Sequence, residues 1–83
     1  MIYRLEISEE ALEQLRALGK EQRRRIGLKL DILQRDLQGD IKKLAGHAGK
    51  YRLRVGSHRI LFTLEKELIF VHQVKDRKDA YRD

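Results

Sequence analysis

The chain has 83 residues, no cysteine, no proline and a formal net charge of +6. That length accommodates a single domain spanning residues 1–83 with a modest core, and the lack of cysteine excludes disulfides and thiolate metal sites and makes a reducing compartment the simpler setting. No apolar run reaches membrane-spanning length, and the opening MIYRLEIS alternates without an apolar signal core, so a soluble cytoplasmic chain with no membrane partner is expected.

The charge is unevenly placed. Residues 1–41 carry eight basic and eight acidic side chains, which cancel, whereas residues 42–83 carry eleven basic and five acidic. The whole excess lies in the carboxy-terminal half, an electrostatic footprint that suits nucleic acid or an acidic protein partner.

In chain order, Met1 to Ile7 predicts a strand, with Ile2, Leu5 and Ile7 apolar among Tyr3, Arg4 and Glu6. Ser8 is a good helix N-cap, and Glu9 and Glu10 suit the positive end of a helix dipole. The helix should run to about Leu18, with Ala11, Leu12, Leu15 and Leu18 on one stripe, and end at Gly19. A second helix is expected from Lys20 to Gln38, its core stripe formed by Ile26, Leu30, Leu33 and Leu37 and its end closed by Gly39. Leu28 and Ile32 lie on its opposite face; a broad core face is the plainer reading and a partner surface the alternative. Arg23, Arg24 and Arg25 read as a solvated helix face, and residues 39–49, with three glycines, Lys42, Lys43 and His47, as a solvated loop.

The most informative stretch is KYRLRVGSHRILF, residues 50–62. Tyr51, Leu53 and Val55 alternate with Arg52 and Arg54, as in a half-buried strand. Gly56-Ser57 supplies a two-residue hairpin turn with Gly where a positive φ is needed. The return strand runs from His58 to Leu64, and the turn sets Arg54 opposite Arg59, Leu53 opposite Ile60 and Arg52 opposite Leu61. Directly opposed residues share a face, so Arg52, Arg54 and Arg59 project together, away from Leu53, Ile60 and Phe62. Like charges opposed across a sheet call for screening carboxylates or a bound polyanion, and a third arginine beside the pair favours the polyanion. A third strand from Glu67 to Lys75, entered by a Glu65-Lys66 turn, completes a meander; it puts Phe70 and His72 on the arginine face with His72 opposite Arg59. An aromatic and a histidine among arginines suit base stacking and phosphate contact, with Phe70 in a small second core as the plainer account. The fold class is therefore α+β: an amino-terminal strand, a two-helix hairpin and a three-stranded antiparallel meander in one sheet with the helices on one face.

No cofactor or metal is expected: the three histidines lack ligand spacing, and no glycine-rich loop links a strand to a helix. Arginine, lysine and tyrosine around a shallow sheet match RNA cleavage by the 2′-hydroxyl, in which arginines stabilise charge on the phosphorane and tyrosine moves a proton once its pKa of about 10 is lowered.

The order strand, two helices, meander, together with Leu44-Ala45-Gly46, Tyr51-Arg52-Leu53-Arg54-Val55-Gly56, Arg59 with Ile60-Leu61-Phe62 after it, and Arg77 with Tyr81 four residues on, resembles the RelE/ParE toxin superfamily. The resemblance spans the whole chain. By that resemblance the RelE branch cleaves mRNA in the ribosomal A site and is held by a co-expressed antitoxin, in a complex expected to be oligomeric. Its active-site positions fall on Arg52, Arg54, Arg59, Arg77 and Tyr81 as catalytic residues, and Lys50, Phe70, His72, Lys75, Lys78 and Arg82 form the expected RNA-binding surround. The best-known RelE members carry lysine at the two positions held here by Arg52 and Arg54. Arginine is not deprotonated in proteins, so the base is expected to be Tyr81 or His72. Two other readings stand beside the nuclease: the ParE branch, which inhibits DNA gyrase, and an inactive domain that binds only its antitoxin.

Overall fold

The computed structural model describes residues 2–46 and 49–76. The first strand, β1 (Arg4–Ile7), is shorter than the alternation suggests. Its pairing starts at Arg4, because the Tyr3 N–H already donates to the Gln34 carbonyl of a helix (2.8 Å) while Arg4 N–H reaches Glu67 O (2.7 Å). Helix α1 (Glu9–Arg16) opens as expected, with Ser8 Oγ accepting from the Ala11 N–H at 3.0 Å. It ends two residues early, at Arg16, with Ala17 as its C-cap. Gly19 is not its stop but the extended N-cap of α2 (Lys20–Asp36). Helix α2 is closed by Leu37 in the left-handed conformation (φ 53°), whose N–H bonds Leu33 O at 2.8 Å. That conformation disfavours a side chain, and Leu37 sits in it with its side chain packed against the core.

Asp40–Lys43 form a strand, β2, where a loop was expected. Its one apolar residue, Ile41, gives little strand signal; backbone pairing with β3 (Lys50–Val55) decides it, Asp40 lying opposite Arg54 and Lys42 opposite Arg52. Strand β4 (His58–Glu65) returns through Gly56, at φ 60°, in the expected register, with Arg54 opposite Arg59 and Leu53 opposite Ile60.

Strand β5 (Leu68–Asp76) differs from expectation in two ways. Its turn is Lys66-Glu67, with Lys66 taking the positive φ (56°), so Glu65 opposes Leu68. A bulge then interrupts the ladder, Leu61 opposing Gln73 while Phe62 opposes Val71, and His72 is the extra residue. Lys75, not His72, is thereby set opposite Arg59. The bulge also changes which side chains face the core. Val71 and Val74 are both buried, although three positions apart, and Gln73 and Lys75 are turned to the arginine face. Helix α1 holds this irregularity: Ser8 Oγ donates to His72 O at 2.8 Å, and Val74 N–H donates to Gln14 Oε1 at 2.6 Å.

The sheet order is β1-β5-β4-β3-β2, with β1 parallel to β5 and the other pairs antiparallel. The class is the expected α+β, with five strands rather than four. Ala11 of α1 and Ile26, Leu30 and Leu33 of α2 meet Leu53, Val55, Ile60, Phe62, Ile69, Val71 and Val74 of the sheet in one core. Leu28 is 58% exposed and takes no part in that core. Both helices lie on this face, and among the described residues no helix covers the other. None is long and apolar enough to cross a membrane.

Candidate nucleic-acid interface

The register lays out the sheet face opposite the helices as rows. Asp40, Arg54, Arg59 and Lys75 form one row across β2, β3, β4 and β5; Lys42, Arg52, Leu61 and Gln73 form the next; Lys50, Thr63 and Phe70 form a third. Pleat alternation, reset by the bulge in β5, puts these side chains on the side away from the helices. Seven of the expected site residues are brought together in this way: Lys50, Arg52, Arg54, Arg59, Phe70, His72 and Lys75. The expected Arg77, Lys78, Tyr81 and Arg82 lie outside the described residues, as does His47.

The arginines differ in setting. Arg52 is buried, 8% exposed, Arg59 is half-buried and Arg54 is exposed. A carboxylate answers part of their charge. Asp40 Oδ2 accepts from Arg54 Nε at 2.8 Å, and Asp40 Oδ1 lies 3.8 Å from Arg52 Nη2. The hydrogen bond from Arg54 holds the Asp40 carboxyl below its ordinary value, against some desolvation, and the charges of Arg54 and Arg52 add to the effect. Arg52 Nε is buried without a hydrogen-bond partner.

Beside the arginine rows lies an open depression of about 580 Å³, lined by Lys50, Leu61, His72, Gln73 and Lys75 from the sheet and by Ser8 and Glu10 from the start of α1. His72 is exposed; its Nε2 is 2.9 Å from Thr63 Oγ1, and its ring lies 4.7 Å from that of Phe70 at a 54° tilt. Phe70 is thus half of an aromatic pair on this face. Such a pair offers a base a surface to stack on. Among the described residues no group of three His, Asp or Glu side chains is placed to hold a metal. His58 is buried on the core side, with Nε2 3.9 Å from Asp76 Oδ2, and takes no part in this face.

Two residues of the face, Asp40 and Lys42, are missed by the sequence reading because β2 is missed. The alternation of Asp40 and Lys42 with Ile41 is the available signal, but four residues with one apolar position do not separate a strand from a loop. Chemically, the face offers guanidinium and ammonium donors for a phosphate, an aromatic pair for a base, and one imidazole able to carry a proton.

No protein-family model matches the chain. A stretch of 46 residues is 41% identical to "Toxin RelE3" of Methanocaldococcus jannaschii, covering 55% of this chain and 52% of that protein, so the match spans about half the length of that curated relative. Among solved structures, the chain resembles one from an archaeal RelE–RelB complex of Pyrococcus horikoshii OT3, with a TM-score of 0.81 and 28% identity over 93% of this chain and 97% of that one. A RelB–RelE antitoxin–toxin complex of Methanococcus jannaschii gives a TM-score of 0.80 at 28% identity, covering 93% and 95%. The intact Escherichia coli RelBE complex gives 0.76 at 26% identity, covering 89% and 95%.

Proposed function

We propose that this chain, which belongs to the RelE toxin family, is the toxin of a toxin–antitoxin pair and cleaves mRNA on the ribosome. The observation that carries this reading is the grouping of Arg52, Arg54 and Arg59 on the sheet face opposite the helices, beside Lys50 and Lys75.

In this mechanism the 2′-oxygen of a nucleotide attacks its own 3′-phosphate and the P–O5′ bond breaks, leaving a 2′,3′-cyclic phosphate and a 5′-hydroxyl. Arg52, Arg54 and Arg59 bind the phosphate and stabilise the charge that builds on its oxygens, with Arg77 assisting. Phe70 and His72 give a neighbouring base a stacking surface, and Lys50, Lys75, Lys78 and Arg82 contact flanking phosphates. None of the arginines serves as a base, so the 2′-hydroxyl proton goes to Tyr81 or His72, and the 5′-oxygen is protonated as it leaves. The site is a shallow face rather than a cleft and positions RNA poorly by itself. The ribosome supplies the in-line geometry, so cleavage of free RNA is weak. Acting on translating ribosomes, the protein works in the cytoplasm.

The structures that this chain resembles come from RelE–RelB complexes. By that likeness its partner is an antitoxin of the RelB kind. The exposed Leu28 side of α2 or the groove beside β1 is where it docks, and we propose that the resulting complex is oligomeric. A crystal of the complex with both surfaces uncovered would remove that placement.

Induction of the chain in a bacterial host, with primer extension on a translated message, tests the activity. The reading requires cuts that track the reading frame and vanish when translation initiation is blocked. Growth arrest with intact mRNA and altered DNA topology would overturn it in favour of a gyrase inhibitor.

A further inference from the structure

Among the described residues, one carboxylate lies between arginines proposed to hold RNA. Asp40 sits on β2, directly opposite Arg54, with its two oxygens directed to different guanidiniums: Oδ2 accepts from Arg54 Nε at 2.8 Å and Oδ1 lies 3.8 Å from Arg52 Nη2. Two oxygens spanning two arginines is the arrangement in which a phosphate would be bound.

The two contacts are unequal. The one to Arg54 is a hydrogen bond; the one to Arg52 is too long to be one. Arg52 therefore keeps a side chain only 10% exposed, with a buried Nε that lacks a hydrogen-bond partner, beside a carboxylate that does not quite reach it. A buried guanidinium in this state favours any better-placed acceptor. Asp40, in contrast, is half-exposed and carried on a four-residue edge strand paired on one side only, so its side chain can turn to water.

We propose that Asp40 is a specificity-determining residue: its carboxylate lies across Arg52 and Arg54 as an internal substitute for a phosphate, and RNA must displace it to bind. The inference rests on the reading of this face as the RNA site. A message held by the ribosome presents its phosphate in place and displaces the carboxylate. Free RNA meets the repulsion without that help and binds less well. The aspartate thus lowers affinity for RNA in general and leaves cleavage to the positioned substrate.

The test is binding of a short fluorescent single-stranded RNA with 2′-fluoro sugars, which lacks the attacking hydroxyl, to the full-length chain by anisotropy. Asp40→Asn keeps a hydrogen-bond acceptor for Arg54 and removes the charge; it should bind about fivefold more tightly, the effect of one charge a few ångströms from a phosphate in water. Affinity should also fall more steeply with salt. Asp40→Ser gives the same direction if the Asn variant fails to fold. Asp31→Asn removes one charge on α2, far from this face, and should leave affinity unchanged; equal tightening there would assign the effect to net charge and overturn the proposal. Arg52→Ala should weaken binding. If it does, and Asp40→Asn binds no more tightly than the parent, the role of Asp40 is wrong while the site stands. If Arg52→Ala binds like the parent, the RNA-site reading fails and the role of Asp40 fails with it.

Discussion

Ser8 joins three elements, and its removal has a calculable effect. Its Oγ accepts from the Ala11 N–H at 3.0 Å, capping α1, and donates to His72 O at 2.8 Å, holding the carbonyl that the β5 bulge leaves out of the ladder. Ser8→Ala removes both bonds. Loss of an N-cap destabilises by about 1 kcal/mol, and loss of the solvent-accessible bond to the carbonyl adds about 0.5 kcal/mol. Against a total stability of about 4–12 kcal/mol for a chain of this size, a loss of about 1.5 kcal/mol lowers Tm by about 6–12 °C. Thermal and urea unfolding followed by circular dichroism read this directly. Ser8→Asp separates the two bonds, since its carboxylate accepts from Ala11 but has no proton for the carbonyl, and it should fall between the parent and the alanine variant. A Ser8→Ala melt within about 2 °C of the parent, or a Ser8→Asp as unstable as Ser8→Ala, would refute this account of the α1–β5 junction.

Gly39→Ala should lower stability by about 2 kcal/mol or more in the same assay: the glycine has φ +146°, and an added Cβ would lie 2.7 Å from Cδ1 of the fully buried Leu53. Arg52→Ala, Arg59→Ala and Tyr81→Phe should each relieve growth arrest and reduce cleavage by about a hundredfold or more, measured by plating and primer extension; full toxicity in all three would sink the assigned site. The Asp40 carboxyl is held low in the folded chain, so its ionic contribution is complete above its ordinary pKa of 3.8 and is lost as pH falls through the lower folded value. The stability gap between the parent and Asp40→Asn should therefore be constant near neutrality and close under acid, as followed by urea unfolding across pH.

The elements legible in the sequence are those whose signals are local. Ser8 followed by Glu9 and Glu10 marks a helix start, the Ile26, Leu30, Leu33 stripe marks the buried side of α2, and Gly56-Ser57 fixes the β3–β4 register residue by residue. That register alone is enough to gather Arg52, Arg54 and Arg59 on one face. The misses come where tertiary pairing overrides composition. Leu37 and Lys66 take a positive φ without being glycine, while Gly19 caps a helix in extended conformation. The chain Asp40–Lys43 becomes a strand because β3 offers it an edge. The bulge at His72 left a trace, the three-residue spacing of Val71 and Val74, which a strict two-residue period does not read. Missing it misassigns the partner of Arg59, and missing β2 hides Asp40, the acidic member of the arginine row. The plainer explanation of opposed arginines, a screening carboxylate, is thus partly present.

The central claim is ribosome-dependent cleavage, and its most direct test is purified: the full-length chain added to ribosomes programmed with a defined mRNA and holding an empty A site. The account predicts a cut in the A-site codon, with a 2′,3′-cyclic phosphate on the upstream product and a 5′-hydroxyl on the downstream one, and little cutting of the same mRNA without ribosomes. An intact message on the ribosome, or equal cleavage of free and ribosome-bound mRNA, would contradict it.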